Sequence, residues 1–344
     1  MMPPDAPPRA RLVQLLFGFY PAQVVHAMVE LELPEHLDKG AATPGELAEA
    51  AGAHEQSLHR LLRAAAGLGL VTHGPDTRVQ LTESGELLRR DAPGSIRNLA
   101  MLWAGDAGWR SWGQLTHSVR TGDPAYARVT GSSLFDHLQQ HPAEQEIFNG
   151  AMAESSRVAA TGVLAVCDLT SYPDVIDVGG GSGSLLAAIL GKYPTKTGTL
   201  FDRPGAMPAA QQLLRTAQIS DRAQAVGGDF FAAVPAGGSA YFLKNVLHDW
   251  NDDLCRQILV NCRQAMGPGV PLHIIEPIVP DDDAALQRSA MTLVSDLNML
   301  VCTGGIERTA FEYQQLLAGA RLTLESVTPC PTPSNLSVLR AVAA

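Results

Sequence analysis

The sequence predicts an α/β protein: a mostly parallel sheet with helices on both faces, preceded by an N-terminal α-helical domain of winged-helix type. Three observations carry this. From Pro173 onward short apolar runs alternate with helical stretches, the texture of a parallel sheet covered on both faces. From Arg11 to about residue 90 apolar residues recur at three-to-four spacing instead. The 344 residues, 46% hydrophobic and 17% charged, suit a packed globular chain of two domains, or one large domain with an appendage.

In the N-terminal part, Leu12, Leu15, Leu16 and Phe19, then Val24, Val25, Met28 and Val29, mark helical faces. Thr43 begins a further helix as N-cap, with Pro44 in the first turn and Glu46 completing a capping box. After Gly52 a second helix runs from His54 to Ala65. Gly69 to Val71 and Arg78 to Thr82 then read as the two strands of a wing. A winged helix can bind DNA or serve as a dimerisation scaffold. Only Arg60 and Arg63 sit on the second helix, Glu55 dilutes them, and 25 Lys+Arg against 35 Asp+Glu leave a net charge of −10. An acidic chain lacks the basic surplus that neutralises phosphates, so no nucleic acid is expected and the scaffold reading is preferred. Residues 1–92 form this domain, and 93–170, with Trp103, Trp109 and Trp112, form a helical connector and substrate wall.

The N-terminal stretch MMPPDAPPRA has no cationic start followed by an apolar segment, and no run approaches about 18 uninterrupted apolar residues. No membrane association is therefore expected, and a cytoplasmic location is. The five cysteines are scattered and never spaced as CxxC, so they read as buried small apolar side chains. The acidic run Asp281 to Asp283 follows Pro280 and reads as a solvated loop; no metal is expected.

Within residues 171–344 the strands are read at Val175 to Val178, Thr199 to Phe201, Ala223 to Val226, Ala240 to Leu243 and Leu272 to Ile275. Helices are read at Leu185 to Leu190, Ala206 to Thr216, Asp253 to Ala265 and Phe311 to Leu317. Parallel sheets bind ligands at the carboxyl ends of their strands. The first end reads DVGGGSG, Asp177 to Gly183. A dinucleotide fingerprint fits poorly, because its last glycine position falls on Ser184 or Leu186. An acidic-x-Gly-x-Gly-x-Gly pattern matches at Asp177, Gly179, Gly181 and Gly183, and suits a ligand with an amino acid part and no pyrophosphate. Such a turn also serves close packing alone.

The second end supplies Asp202, able to accept both hydroxyls of a ribose, and the third supplies Asp229 for an exocyclic amine with Phe230 for a purine face. Singly, each Asp is as readily a cap or loop residue. Together they outline an adenosine with an amino acid attached, which is S-adenosyl-L-methionine. The fourth strand ends at Lys244, one of four lysines, either holding that cofactor or snorkelling. His248 follows one helical turn on, and Glu276 and Glu307 can converge on it. A carboxylate on one ring nitrogen raises the basicity of the other, which builds a general base.

With DVGGGSG, FDRP (Phe201 to Pro204), GDFF (Gly228 to Phe231), LHDW (Leu247 to Trp250), Glu276-Pro277 and GGIER (Gly304 to Arg308), the chain resembles the S-adenosylmethionine-dependent O-methyltransferases of the caffeic acid type and their bacterial antibiotic-pathway relatives. The six motifs occur in order over essentially the whole chain. The resemblance implies a Rossmann-like methyltransferase domain over 171–344, a homodimer built on the N-terminal domain, and cofactor contacts at Gly179, Asp202, Asp229, Phe230 and Lys244 with Trp250 near the adenine. It implies His248 as base flanked by Glu276 and Glu307, and an aromatic acceptor walled by Phe148, Met152, Asn298 and Met299. Methyl transfer to a phenolic hydroxyl is the expected activity. The alternatives are a cofactor-binding relative with a non-methylating reaction such as hydroxylation, a metal-assisted catechol methyltransferase, and a ligand-sensing transcription factor.

Overall fold

The computed structural model describes residues 7–332 and 334–343. The first six residues, read above for a leader, lie outside it, as does the side chain of Asp283. Two compact units are present, Met1–Trp109 and Arg110–Ala344, so the segment 93–170, read as one connector, falls on both sides of this boundary.

In the first unit the capping box forms: Thr43 Oγ1 accepts the Glu46 N–H at 3.3 Å, and Glu46 accepts the Thr43 N–H at 2.7 Å. Helix Pro44–Ala50 leads into helix Glu55–Gly67, which buries Leu58, Leu62 and Ala65 and leaves Arg60 and Arg63 exposed. β1 (Val71–His73) and β2 (Val79–Leu81) pair antiparallel as the wing. Together these elements close a core around Met28, Leu33, Leu47 and Leu62.

Helices Pro8–Leu16 and Phe19–Glu30 bear on the membrane expectation drawn above without overturning it. Polar residues interrupt the run; within Pro8–Glu30, 23 residues long, one 18-residue stretch reaches a mean hydropathy of 1.4, which does not by itself mark a membrane span. Only 11% of its most apolar stretch is buried, and Leu12, Leu15 and Leu16 stand 62, 77 and 69% exposed. So large an apolar surface marks a contact site.

The second unit is built on β3 (Asp174–Val178), β4 (Thr197–Asp202), β5 (Ala223–Gly227), β6 (Ala240–Lys244), β7 (Leu272–Val279), β8 (Arg308–Thr309), β9 (Leu322–Pro329) and β10 (Leu336–Ala343). The sheet order is 5-4-3-6-7-10-9, with β8 paired to β7. β3 to β7 run parallel; β10 lies antiparallel to β7 and β9. Each of the five strands read from sequence is present, extended by one to several residues. The β9–β10 pair is an addition. Two apolar layers cover the sheet faces, one through Leu259, Leu316 and Tyr241, the other through Leu186, Ile189 and Phe242. All five cysteines are buried and free. Asp282, read as loop, instead caps a short helix, Asp283–Arg288, by accepting the Ala285 N–H at 2.7 Å.

Leu186 is fully buried and lies where a Cβ on Gly198 would come within 2.4 Å of it. Leu186→Ala removes side-chain volume that no neighbour can replace. Urea denaturation should show a loss of about 2–5 kcal/mol; a loss below about 1 kcal/mol would mean that this layer is loosely packed.

Candidate active site

The carboxyl ends of β3 to β7 meet at one edge, because the parallel register places Phe201 beside Val178, Gly227 beside Asp202 and Ile275 beside Lys244. After β3, Gly179, Gly181 and Gly183 take positive φ values of 69, 58 and 87°, a conformation glycine adopts without strain. A Cβ on Gly179 would lie 2.7 Å from Val246 and 3.6 Å from Phe230, so the turn is closely approached from two other strand ends. Ser184 then starts a helix whose N-cap, Gly183, offers no side-chain acceptor to the first-turn N–H groups.

Asp202 is tied to this turn. Its Oδ2 accepts the Gly181 N–H at 2.8 Å and its Oδ1 the Arg203 N–H at 2.6 Å; each oxygen keeps a lone pair for a hydroxyl. Burial raises its pKa. Asp177 is buried, and neither of its oxygens makes a well-formed hydrogen bond among the described residues. Burial lifts it to about 7, against the opposing charge of Lys244. Lys244 is pushed down by burial and held up by Asp177, Glu276 and Asp249. Asp229 is exposed and its Oδ1 accepts the Phe231 N–H at 2.8 Å, which closes its own turn. Phe230 lies edge-on to Trp250 at 6.2 Å.

At the fourth end Asn245 adopts a left-handed φ of 51° and redirects the chain. The N–H groups of Val246 and Leu247 thereby both donate to Glu276 Oε1, at 3.0 and 2.9 Å. His248 follows in a short 3-10 turn, Leu247–Asp249. Its Nδ1 lies 3.1 Å from Glu307 Oε1 and 3.5 Å from Glu276 Oε2. With two acceptors facing Nδ1, the neutral imidazole keeps its proton there, and Nε2 is the nitrogen that gains and loses the exchangeable proton. The three donor atoms fall within 4.8 Å of one another, a spacing a cation could also use. Here Nδ1 and Glu276 Oε1 are instead engaged in hydrogen bonds.

Burial opposes charge on His248, but Glu276, Glu307 and Asp249 outweigh it and raise the imidazole to about 10. Burial lifts Glu276 to about 7 and Asp249 to about 6. Protons therefore belong to the set, not to one residue.

The Gly304 to Arg308 segment wraps this turn. A Cβ on Gly305 would come within 1.9 Å of the His248 carbonyl oxygen, and the Ile306 N–H donates to that oxygen at 2.9 Å. Arg308 is 2% exposed. It donates to the carbonyls of Leu247 (3.1 Å), Ile306 (3.1 Å) and Trp250 (2.8 Å), and its Nε and Nη2 reach Asp252 Oδ1 at 3.1 and 2.9 Å.

Of the acceptor-wall residues, Phe148 lies edge-on to Phe135 at 6.3 Å, and Phe135 stacks on Trp250 at 5.7 Å. Met152 is one turn beyond Phe148 on helix Pro142–Val166. Asn298 and Met299 are buried on helix Ala290–Cys302. Asn298 Oδ1 accepts from Trp112 Nε1 at 2.9 Å and from the Cys302 thiol at 3.5 Å. Trp109 packs on Phe19. Phe135, Ser295 and Arg308 were not read as site residues. Arg308 lay inside a quoted motif; Phe135 and Ser295 carried no local signal.

A glycine turn leading into a helix N-terminus, carboxylates at successive strand ends, and an imidazole backed by two glutamates are the features of a small-molecule methyltransferase. The chain belongs to the O-methyltransferase family. Residues 112–322 match its O-methyltransferase domain and residues 13–91 its dimerisation domain. The chain is 38% identical over 317 residues to the mitomycin biosynthesis 6-O-methyltransferase of Streptomyces lavendulae, covering 92% of this chain and 89% of the relative. The crystal structure of LaPhzM superposes with a TM-score of 0.93 at 35% identity, covering 98% of this chain and all of that one. NcsB1 from neocarzinostatin biosynthesis, solved with S-adenosylmethionine and 2-hydroxy-5-methyl naphthoic acid, superposes at 0.78 and 35% identity, with 94 and 96% covered. The enzyme is thus an S-adenosylmethionine-dependent O-methyltransferase, and the strand-end cradle fits that cofactor.

Because His248 is raised above its unfolded value of about 6.5, its contribution to stability is fully present below that pH and is lost as pH rises through about 10. Glu307→Gln removes one cause of the raised pKa. Urea unfolding across this window should show a smaller pH-dependent loss in the variant than in the wild type; equal losses would place the titration elsewhere.

Proposed function

We propose that the protein methylates a phenolic hydroxyl of a flat aromatic secondary metabolite, with His248 as general base. The observation that carries this is the contact of His248 Nδ1 with Glu307 at 3.1 Å and Glu276 at 3.5 Å, beside the glycine cradle.

S-adenosylmethionine supplies the methyl group when bound. Gly179, Gly181 and Gly183 with Asp177 would shape the cradle for its amino acid part, assisted by Lys244. Asp202 would take the ribose hydroxyls, and Asp229, Phe230 and Trp250 the adenine. Phe148, Met152, Asn298 and Met299 would wall the acceptor. Positioning of this kind converts an encounter into an effectively unimolecular step.

A phenol has a pKa of about 10 and is protonated until attack, and the carboxylates that raise the His248 imidazole strengthen it as acceptor of that proton at Nε2. Glu276 and Glu307 hold the resulting imidazolium and fix its ring. The same carboxylates keep His248 protonated at neutral pH, so turnover should rise with pH beyond the ordinary histidine range. The non-methylating alternative finds no support in the mitomycin relative or in NcsB1, both O-methyltransferases by name. A soluble cofactor and a small acceptor fit a cytoplasmic enzyme.

The exposed apolar surface of Pro8–Glu30 overlaps the dimerisation-domain match, and a second copy of the chain would cover it. Light scattering should give twice the chain mass, and Leu15→Asp with Leu16→Asp should give monomer; an unchanged mass would refute the assignment of this surface.

His248→Ala should retain affinity for S-adenosylhomocysteine while lowering turnover about 10²- to 10⁴-fold. The assay follows labelled methyl into a panel of hydroxynaphthoates and other phenols, with aromatic amines as a contrast. Turnover near wild type would remove His248 from the chemistry, and label only in amines would refute the hydroxyl acceptor.

A further inference from the structure

The oxygen that holds the base has a second donor. Glu307 Oε1 lies 3.1 Å from His248 Nδ1 and accepts from the Ser295 hydroxyl at 2.8 Å. Ser295 belongs to helix Ala290–Cys302, which one turn later carries Asn298 and Met299. Residues three and four apart share a helix face, so the acceptor wall and this hydroxyl sit on one rigid turn. The next residue, Asp296, accepts the Glu307 backbone N–H at 2.9 Å. One helix therefore holds Glu307 by both main chain and carboxylate.

We propose that Ser295 is a positioning residue for the base: by sharing Glu307 Oε1 with His248 Nδ1, its hydroxyl sets the direction of the imidazole and how tightly it holds its proton. The proposal rests on His248 acting as the base. A carboxylate oxygen that accepts two hydrogen bonds offers less to each than one that accepts a single bond. Removing the hydroxyl leaves Oε1 to Nδ1–H alone and further favours the imidazolium.

The surrounding charges are unchanged by that removal. They are Glu276 on β7, Asp249 in the turn of His248, Lys244 ending β6, Asp296 on the helix, Arg308 beside Glu307, and Tyr313 on helix Ala310–Gly319. A shift on substitution therefore reads one hydrogen bond. Ser295 is partly buried and small, and Ala fits its helix without strain.

The test is an NMR titration of ¹⁵N-histidine-labelled protein loaded with S-adenosylhomocysteine, comparing wild type, Ser295→Ala and Ser295→Thr, with His248 assigned by His248→Ala. His248 should titrate higher in Ser295→Ala by about half to one pH unit and return in Ser295→Thr, which keeps the hydroxyl. Against a phenol acceptor, kcat at pH 7 should fall about three- to tenfold in Ser295→Ala, closing at the alkaline plateau, with KM unchanged. An unmoved or lowered titration overturns the proposal, as does a loss that is independent of pH or that threonine leaves uncorrected. The titration needs no acceptor, so a wild type inert toward every phenol would count against the function proposed above while this result stayed readable.

Discussion

Two buried carboxylates on one imidazole nitrogen constrain everything around them in the C-terminal unit. Glutamates are rarely buried, because desolvation disfavours the charged form. Each here is held by donors that lower the cost. Glu276 takes two backbone N–H groups, available because Asn245 turns the chain in a left-handed conformation. Glu307 takes the Ser295 hydroxyl and His248. Arg308 brings a buried positive charge to the same place and satisfies the carbonyls of Leu247 and Trp250 on either side of the histidine. Removing one partner from such a set leaves an uncompensated buried charge, which is more damaging than the loss of the contact alone.

The cofactor cradle and the histidine turn are joined by close packing. Gly179 lies against Val246, the first residue to bond Glu276, and against Phe230. Trp250, held through its carbonyl by Arg308, meets Phe230 and Phe231 on one side and Phe135 on the other. Phe135 in turn carries the Arg203 guanidinium 4.7 Å over its ring, a favourable cation–π placement. The aromatic column runs from Arg203, the residue after Asp202, through Phe135 to Phe148, built from side chains of distant segments.

Much of this was legible in the sequence because it obeys local rules. Apolar runs marked β3 to β7, the Thr43 and Glu46 pair marked a helix start, and the alternating glycines after Asp177 marked a backbone with positive φ. The triad of His248, Glu276 and Glu307 was legible through order and motif, although no local rule brings residues 59 positions apart to 3.1 Å. What escaped depends on tertiary register. Phe135, the Trp112 bond to Asn298, the Ser295 bond to Glu307 and the carbonyl contacts of Arg308 all span segments whose neighbours emerge only on folding. The exposed apolar face of Pro8–Glu30 escaped for another reason: exposure depends on what a segment packs against, not on its own apolar content. The raised pKa of His248 also needed three carboxylates at known positions, close enough to outweigh its burial.

The account stands or falls on where Nε2 of His248 points when both ligands are present. A crystal structure with S-adenosylhomocysteine and a methylatable phenol measures this directly. The account predicts the acceptor oxygen at about 2.6–3.2 Å from Nε2, with Nδ1 still on Glu307. An acceptor oxygen bonded to another side chain, or an imidazole turned so that Nε2 faces the glutamates, would contradict it.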